Sequence, residues 1–284
     1  MTRRRIATLV SALAALAAAA CDTASSDFAN LTASFSPPSP KQAGQWAVDQ
    51  YDPENQRRGT LLLANAPWGG TSVYTAMYRL YIEENTDPLV RAAALEAIGR
   101  HGEASDAELV SKQLKDKSLQ VRVAAAKALQ RLHDPKVTTV ICSRLIDEGE
   151  EASVRVELAI ALGQYPSDDV FQALAATLDA RELSVNMAAL DSLHLLTGKD
   201  FGLDRPLWLS WYRSTKTPFK GQLQYLYPTF WREKGFWDTI TFWSPLVFEK
   251  PGLPAGMDEP SRTAPQQPFG NIGEGKAPEA KGPS

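Results

Sequence analysis

The dipeptide Val90-Arg91 returns as Val121-Arg122 and as Val154-Arg155, and a fourth copy reads Val185-Asn186. The offsets are 31, 33 and 31 residues, a period that suits stacked helical hairpins. Counting the second residue of each dipeptide as position 0, position +3 holds Ala94, Ala125, Leu158 and Ala189, and position +7 holds Ile98, Leu129, Leu162 and Leu193. Positions -1, +3 and +7 share one face of a 3.6-residue helix, so each copy presents the same apolar stripe. Small residues at +6 (Ala97, Ala128, Ala161, Ser192) let neighbouring helices approach closely. A plain helical bundle would not need four copies to agree over so many positions. A fifth, earlier copy is expected on Arg58, with Leu61 at +3 and Ala64 at +6; it departs at Arg57 and Asn65, as a terminal capping repeat does.

Punctuation between the copies divides the chain into about five helical pairs, over residues 41–66, 71–100, 105–131, 135–164 and 168–196. Asp87-Pro88 supplies a cap followed by Pro at the first helical position, and Ser105, Ser118 and Ser167 are expected to cap further helices. No stretch reads as an alternating strand, so the fold class is all-α, a solenoid over residues 43–200. With their Val-Arg dipeptides, Asp-Pro start and Ala-rich second helices, these copies resemble HEAT repeats. The resemblance implies that the arginines brace one repeat against the next and that the second helices line a concave surface. Leu62-Leu63-Ala64-Asn65-Ala66-Pro67-Trp68-Gly69-Gly70 and Leu196-Thr197-Gly198-Lys199-Asp200-Phe201-Gly202 further resemble segments of bacterial HEAT-repeat lipoproteins, a likeness that brings no activity with it.

Residues 1–20 carry three consecutive arginines and then an unbroken apolar or small-residue run ending at Cys21, the pattern of an export signal. The run is shorter than the roughly 20 residues that span a bilayer as a helix. Ala18-Ala19-Ala20-Cys21 resembles a bacterial lipobox, with Ala18 where Leu is usual; the resemblance implies lipidation of Cys21 and attachment to a membrane of the cell envelope. Cleavage by ordinary signal peptidase at the same Ala-x-Ala, or an uncleaved anchor, are the alternatives. Asp22 resembles the inner-membrane retention signal of some lipoproteins. Residues 21–42, rich in Ser, Thr, Ala and Pro, read as a flexible tether with a reach of roughly 25 to 30 Å.

More than half of the chain's Trp, Tyr and Phe lie in residues 201–248. Trp208, Trp211 and Tyr212 share a short helix expected to cap the open end of the stack. The large apolar residues that follow, Trp231, Phe236, Trp237, Ile240 and Trp243, could dock on the solenoid, lie in the membrane interface or serve a partner. Residues 249–284 are dense in Pro and Gly with little aliphatic clustering and read as a disordered tail.

A net charge of -3 and a pI near 5.7 argue against a general nucleic-acid binder. His101, His133 and His194 have no partners at metal-ligand spacing, and Asp147, Glu148, Glu150 and Glu151 lack the ligand order of a calcium loop; a solvated turn is expected there. Cys142 sits in an apolar pattern as a small hydrophobe. No nucleophile elbow, phosphate loop or dinucleotide fingerprint is present, so no enzyme activity, cofactor or small-molecule substrate is expected. Some HEAT-like proteins are chromophore lyases, and that reading would need a discrete pocket with convergent polar groups. The expected function is that of an envelope scaffold or adaptor for protein partners. Positions +5 and +9 fall opposite the inward stripe: Glu96 and Arg100, Lys127 and Arg131, Ile160 and Gln164, Asp191 and Leu195. They are the candidate partner-binding residues, with basic side chains suited to an acidic segment and Ile160 and Leu195 as apolar anchors.

Overall fold

The computed structural model describes residues 38–229 and 250–257. Cys21, the export segment, most of the tether, the aromatic stretch 230–249 and the tail beyond 257 lie outside the described residues. Within them the chain is helical: α1 (Pro40–Ala47), α2 (Pro53–Ala64), α3 (Ser72–Glu84), α4 (Pro88–His101), α5 (Asp106–Lys112), α6 (Leu119–Leu129), α7 (Thr138–Leu145), α8 (Ala152–Leu162), α9 (Asp168–Thr177), α10 (Leu183–Thr197) and α11 (Arg205–Ser214). The first ten form five antiparallel pairs. Helices α2, α4, α6, α8 and α10 stack on one another in sequence, each second member on the next, over greater lengths than the first members do.

Asp-Pro steps start α2, α4 and the 3-10 turn Pro135–Val137 that leads into α7. Asp52 accepts from the amides of Glu54 and Asn55, Asp87 from Leu89 and Val90 at 2.7 and 3.2 Å, and Asp134 from Lys136, each followed by Pro where no N–H is needed. The serines expected to cap do not. The side chains of Ser105, Ser118 and Ser167 make no cap bond, and the Ser118 hydroxyl donates to Gln120 Oε1 instead. Helix α10 stops at Gly198, whose φ of 65° is the left-handed conformation that closes a helix.

The inward stripe behaves as its period requires. Val90, Val121, Val154 and Val185, with the +3 and +7 residues of all four copies, are fully buried. The small residues at +6 do close-packing work: Ser192 Oγ donates to the Ala159 carbonyl one repeat back at 2.7 Å. Leu129→Ala and Leu162→Ala are each expected to cost about 2 to 5 kcal/mol as cavities. Glu96→Ala, on the exposed face, should stay within about 0.5 kcal/mol. Denaturant titration of the three variants checks the register, which equal losses at all three positions would overturn.

The first copy is in a different register from the one expected. Its buried residues are Gln56, Gly59, Thr60, Leu63 and Ala64, the -1, +2, +3, +6 and +7 positions of a copy centred on Arg57. Polar Gln56 and Thr60 stand where later copies carry Val and either Ala or Leu, which hides the match. Gln56 uses its amide to hold the second repeat, accepting from Asn85 Nδ2 at 2.9 Å. Gly59 lies directly against the backbone of α1, where an added Cβ would sit 2.1 Å from Ala47 N.

The Val-Arg arginines form a ladder along the turn edge. Arg91 pairs with Asp116 at 2.6 Å, Arg122 with Glu150 at 3.0 Å and Arg155 with Glu182 at 3.4 Å, each reaching an acid in the next repeat. The same guanidinium groups donate to carbonyls of their own repeat's turn, at Asn85, Asp116 and Leu145. Asn186, in the last copy, has no repeat to brace.

Helix α11 closes the far end. Trp208 is fully buried, donates from Nε1 to the Gly202 carbonyl at 2.8 Å and meets Phe201 edge-on at 5.0 Å. Tyr212 stacks on Phe171 of α9 at 3.9 Å. This is the aromatic cap that the sequence leads one to expect.

Candidate interaction surface

The eight candidate residues divide into two rows with different fates. At +5, Glu96 and Lys127 are exposed and Ile160 and Asp191 half-buried, on the face that the helical period sets opposite the buried stripe. Lys127 Nζ stands 3.7 Å from Glu157 in the next repeat, so part of its charge is already answered. Burial pushes the Asp191 carboxyl above the ordinary carboxylate range, and His194 draws it partly back. The +5 row therefore forms one strip across four repeats.

The +9 row does not belong to that strip. Arg100 pairs with Glu96 at 3.1 Å and with the Asn65 side chain. Gln164 is buried, donating to the Leu129 carbonyl at 2.9 Å and accepting from His133 Nδ1 at 3.1 Å. Leu195 is buried, and its carbonyl accepts from Leu223 N at 2.7 Å. Arg131 lies over the Tyr227 ring at 4.4 Å. Nine residues at 100° each do return to the outer face, but they also reach the helix end, where other chain covers it.

At Arg131 and Leu195 the covering chain is the C-terminal part. Residues 221–227 run back along the ends of the second helices. Gly221 lies against Gly198, Tyr225 is fully buried with its hydroxyl donating to the Gln130 carbonyl at 3.2 Å, and Tyr227 reaches Arg131. Residues 250–257, in the segment expected to be disordered, continue the cover. Tyr227 N donates to Gly252 O at 3.0 Å; Ala255 N donates to Arg131 O and Ala255 O accepts from His133 N, both at 2.8 Å. Leu132 and Ala255 form an isolated parallel bridge. Helix α6 has no glycine cap, and the strap pairs with the carbonyls of Gln130 and Arg131, just beyond its last turn.

Sequence reasoning missed a row at +1. Ala92, Val123 and Val156 are half-buried and Met187 is 42% exposed, so an apolar row runs beside the mixed +5 row. The signal was present as an apolar residue directly after the Arg or Asn in all four copies.

The other candidate chemistry resolves into structure. Glu150, expected in a solvated turn, is buried between Arg122 and Arg144, 2.7 Å from the latter. Its neighbours Glu148 and Glu151 are exposed. His101 donates from Nε2 to the Ala64 carbonyl, and His194 from Nδ1 to the Lys199 carbonyl. Burial pushes the Cys142 thiol up to about 11, which keeps it protonated and poorly nucleophilic at neutral pH. Among the described residues no cluster of His, Cys, Asp or Glu is arranged to hold a metal ion, and no helix is long and apolar enough to cross a membrane.

Five stacked pairs, an arginine ladder and a capped end define an α-solenoid. A family model for HEAT repeats matches residues 78–151, from within α3 to the turn before α8. No curated protein matches the chain. HEAT repeats generally mediate protein–protein interaction, and proteins built from them are typically non-enzymatic scaffolds.

Proposed function

We propose that this chain is a membrane-tethered scaffold or adaptor of the cell envelope that holds protein partners along its second-helix strip. The observation that carries the reading is the strip itself: an apolar row (Ala92, Val123, Val156, Met187) beside a mixed row (Glu96, Lys127, Ile160, Asp191) in four successive repeats. An apolar centre with charges at its margin is the composition of a protein-recognition surface. Support for the tether comes from the sequence alone, from the apolar leader that ends at Cys21 and from the flexible segment after it. The anchor would present the strip to partners near a membrane surface, within the reach of the tether.

The test combines cross-linking from position 127 in intact cells with affinity measurement on the partner so identified. Lys127→Glu/Met187→Glu changes two exposed side chains and should weaken binding by about 10- to 100-fold. Its melting temperature should be that of the wild type. Unchanged affinity would move recognition away from the second helices. For the anchor, mass spectrometry of the mature N-terminus should show an acylated Cys21.

A further inference from the structure

The two halves of the C-terminal strap are held in different ways. Residues 221–227 are anchored by a side chain, the fully buried Tyr225. Residues 250–257 bury only Pro254; Leu253 and Met257 are half-exposed and Gly256 is exposed. They are held chiefly through their backbone, by the paired bonds of Ala255 to Arg131 O and His133 N. A segment with only one buried side chain opens at lower cost than the packed core.

The surface beneath it is rigid by comparison. His133 is fixed from two sides, by Gln164 at 3.1 Å and by stacking on Tyr165 at 4.7 Å, and Tyr165 is itself buried in the fourth repeat. Fit is narrow at one residue. Gly256 has a φ of 91°, and a Cβ there would lie 2.5 Å from Ala104 Cβ and 2.8 Å from the His133 carbonyl oxygen, so only glycine enters. The segment makes a β-turn, closed by Met257 N donating to the Pro254 carbonyl at 3.1 Å with Gly256 at its left-handed position, and the fixed acceptor and donor of the 131–133 turn pair with the turn residue Ala255.

We propose that the cleft between Ala104 and the 131–133 turn is a peptide-binding site for a Pro-Ala-Gly turn of a partner protein, and that the chain fills it with its own residues 254–256 when no partner does. This rests on the reading of the second-helix side as the recognition surface, and adds to it the partner's chemistry and a means of regulation. A tethered copy competes at an effective concentration of about millimolar. A free peptide therefore binds the filled site weakly and the emptied site well.

The experiment uses the full chain and a fluorescent peptide of residues 250–257. Gly256→Val should expel the segment, seen as faster hydrogen exchange at the His133 amide with an unchanged melting temperature; Pro254→Asp serves as a second expelling variant. The peptide should bind either variant at least tenfold more tightly than wild type, and a peptide carrying Val for Gly256 should bind neither. Two outcomes overturn the proposal: no peptide binding by a variant whose His133 amide has been released, or wild-type exchange at His133 as slow as in the centre of α6, which would make the strap a fixed part of the fold. Failure here with loss of partner affinity in Lys127→Glu/Met187→Glu removes the cleft alone; the reverse pattern removes the strip.

Discussion

Arg122→Ala is expected to destabilise the solenoid by about 3 kcal/mol, more than the same change at any other arginine of the ladder. Removing one partner of a buried ion pair costs about 3 to 5 kcal/mol, because the remaining charge stays away from water. Glu150 has no side-chain exposure and Arg122 is 15% exposed. Arg144 remains 2.7 Å from the other carboxylate oxygen, so the loss falls at the lower end of that range. Arg122 also leaves the Asp116 and Lys117 carbonyls without their donor. Arg155→Ala should cost less through its acid, since Glu182 is 43% exposed at 3.4 Å, and more through the lost bond to the Leu145 carbonyl. Arg57→Ala, whose partner Glu54 lies in the same helix and is 60% exposed, should cost under about 1 kcal/mol. Denaturant titration at fixed ionic strength orders the three variants, and equal losses at Arg57 and Arg122 would show that the ladder does not couple repeats.

Residues whose role depends on periodicity could be read before any coordinates. Val121 and Leu129 had to face inward because four copies put apolar residues there, and the resemblance to HEAT repeats implied that Arg122 braces the next repeat. Trp208 was readable as a cap because so large an apolar side chain needs a surface to cover. Where contacts depend on a single residue the sequence was mute. Glu150 is one of four acids in a six-residue turn, and nothing local separates the one held by Arg122 and Arg144 from its solvated neighbours. The first repeat hid its register because Gln56 and Thr60 are polar in inward positions, and an apolar pattern cannot register them.

The strap was hidden for a different reason. Backbone bonds from Ala255 to Arg131 and His133 leave no trace in composition, and a segment rich in Pro and Gly reads as disorder whether or not a groove receives it. The cost of missing it fell on the candidate site. Helix geometry alone puts Arg131 and Leu195 on the same face as Lys127 and Asp191, but their place at the helix ends exposes them to whatever chain crosses there. The +5 and +1 rows, nearer the middle of each helix, are the part of that face left for a partner.

Cys21→Ala should abolish acylation completely. Acyl transfer needs the cysteine sulfur as acceptor, and lipoprotein cleavage follows acylation, so the variant should keep residues 1–20 and carry no lipid. At about 0.8 kcal/mol per buried methylene, one chain gives only marginal membrane binding, whereas two or three hold a protein almost permanently. The leader left in the variant has an apolar run shorter than the roughly 20 residues of a spanning helix, so an alkaline carbonate wash should release the variant and leave the wild type in the pellet. Metabolic labelling with an alkyne fatty acid and intact-mass measurement separate the three origins of an exported chain. A lipoprotein shows label in the wild type alone and a heavier polypeptide in the variant. Ordinary signal cleavage shows no label in either, with residues 1–20 absent from both, and an uncleaved anchor shows no label in either, with those residues present in both. Either of the last two patterns would detach the solenoid from a lipid anchor, leaving its second-helix strip to be tested as the recognition surface of a protein held, or released, by other means.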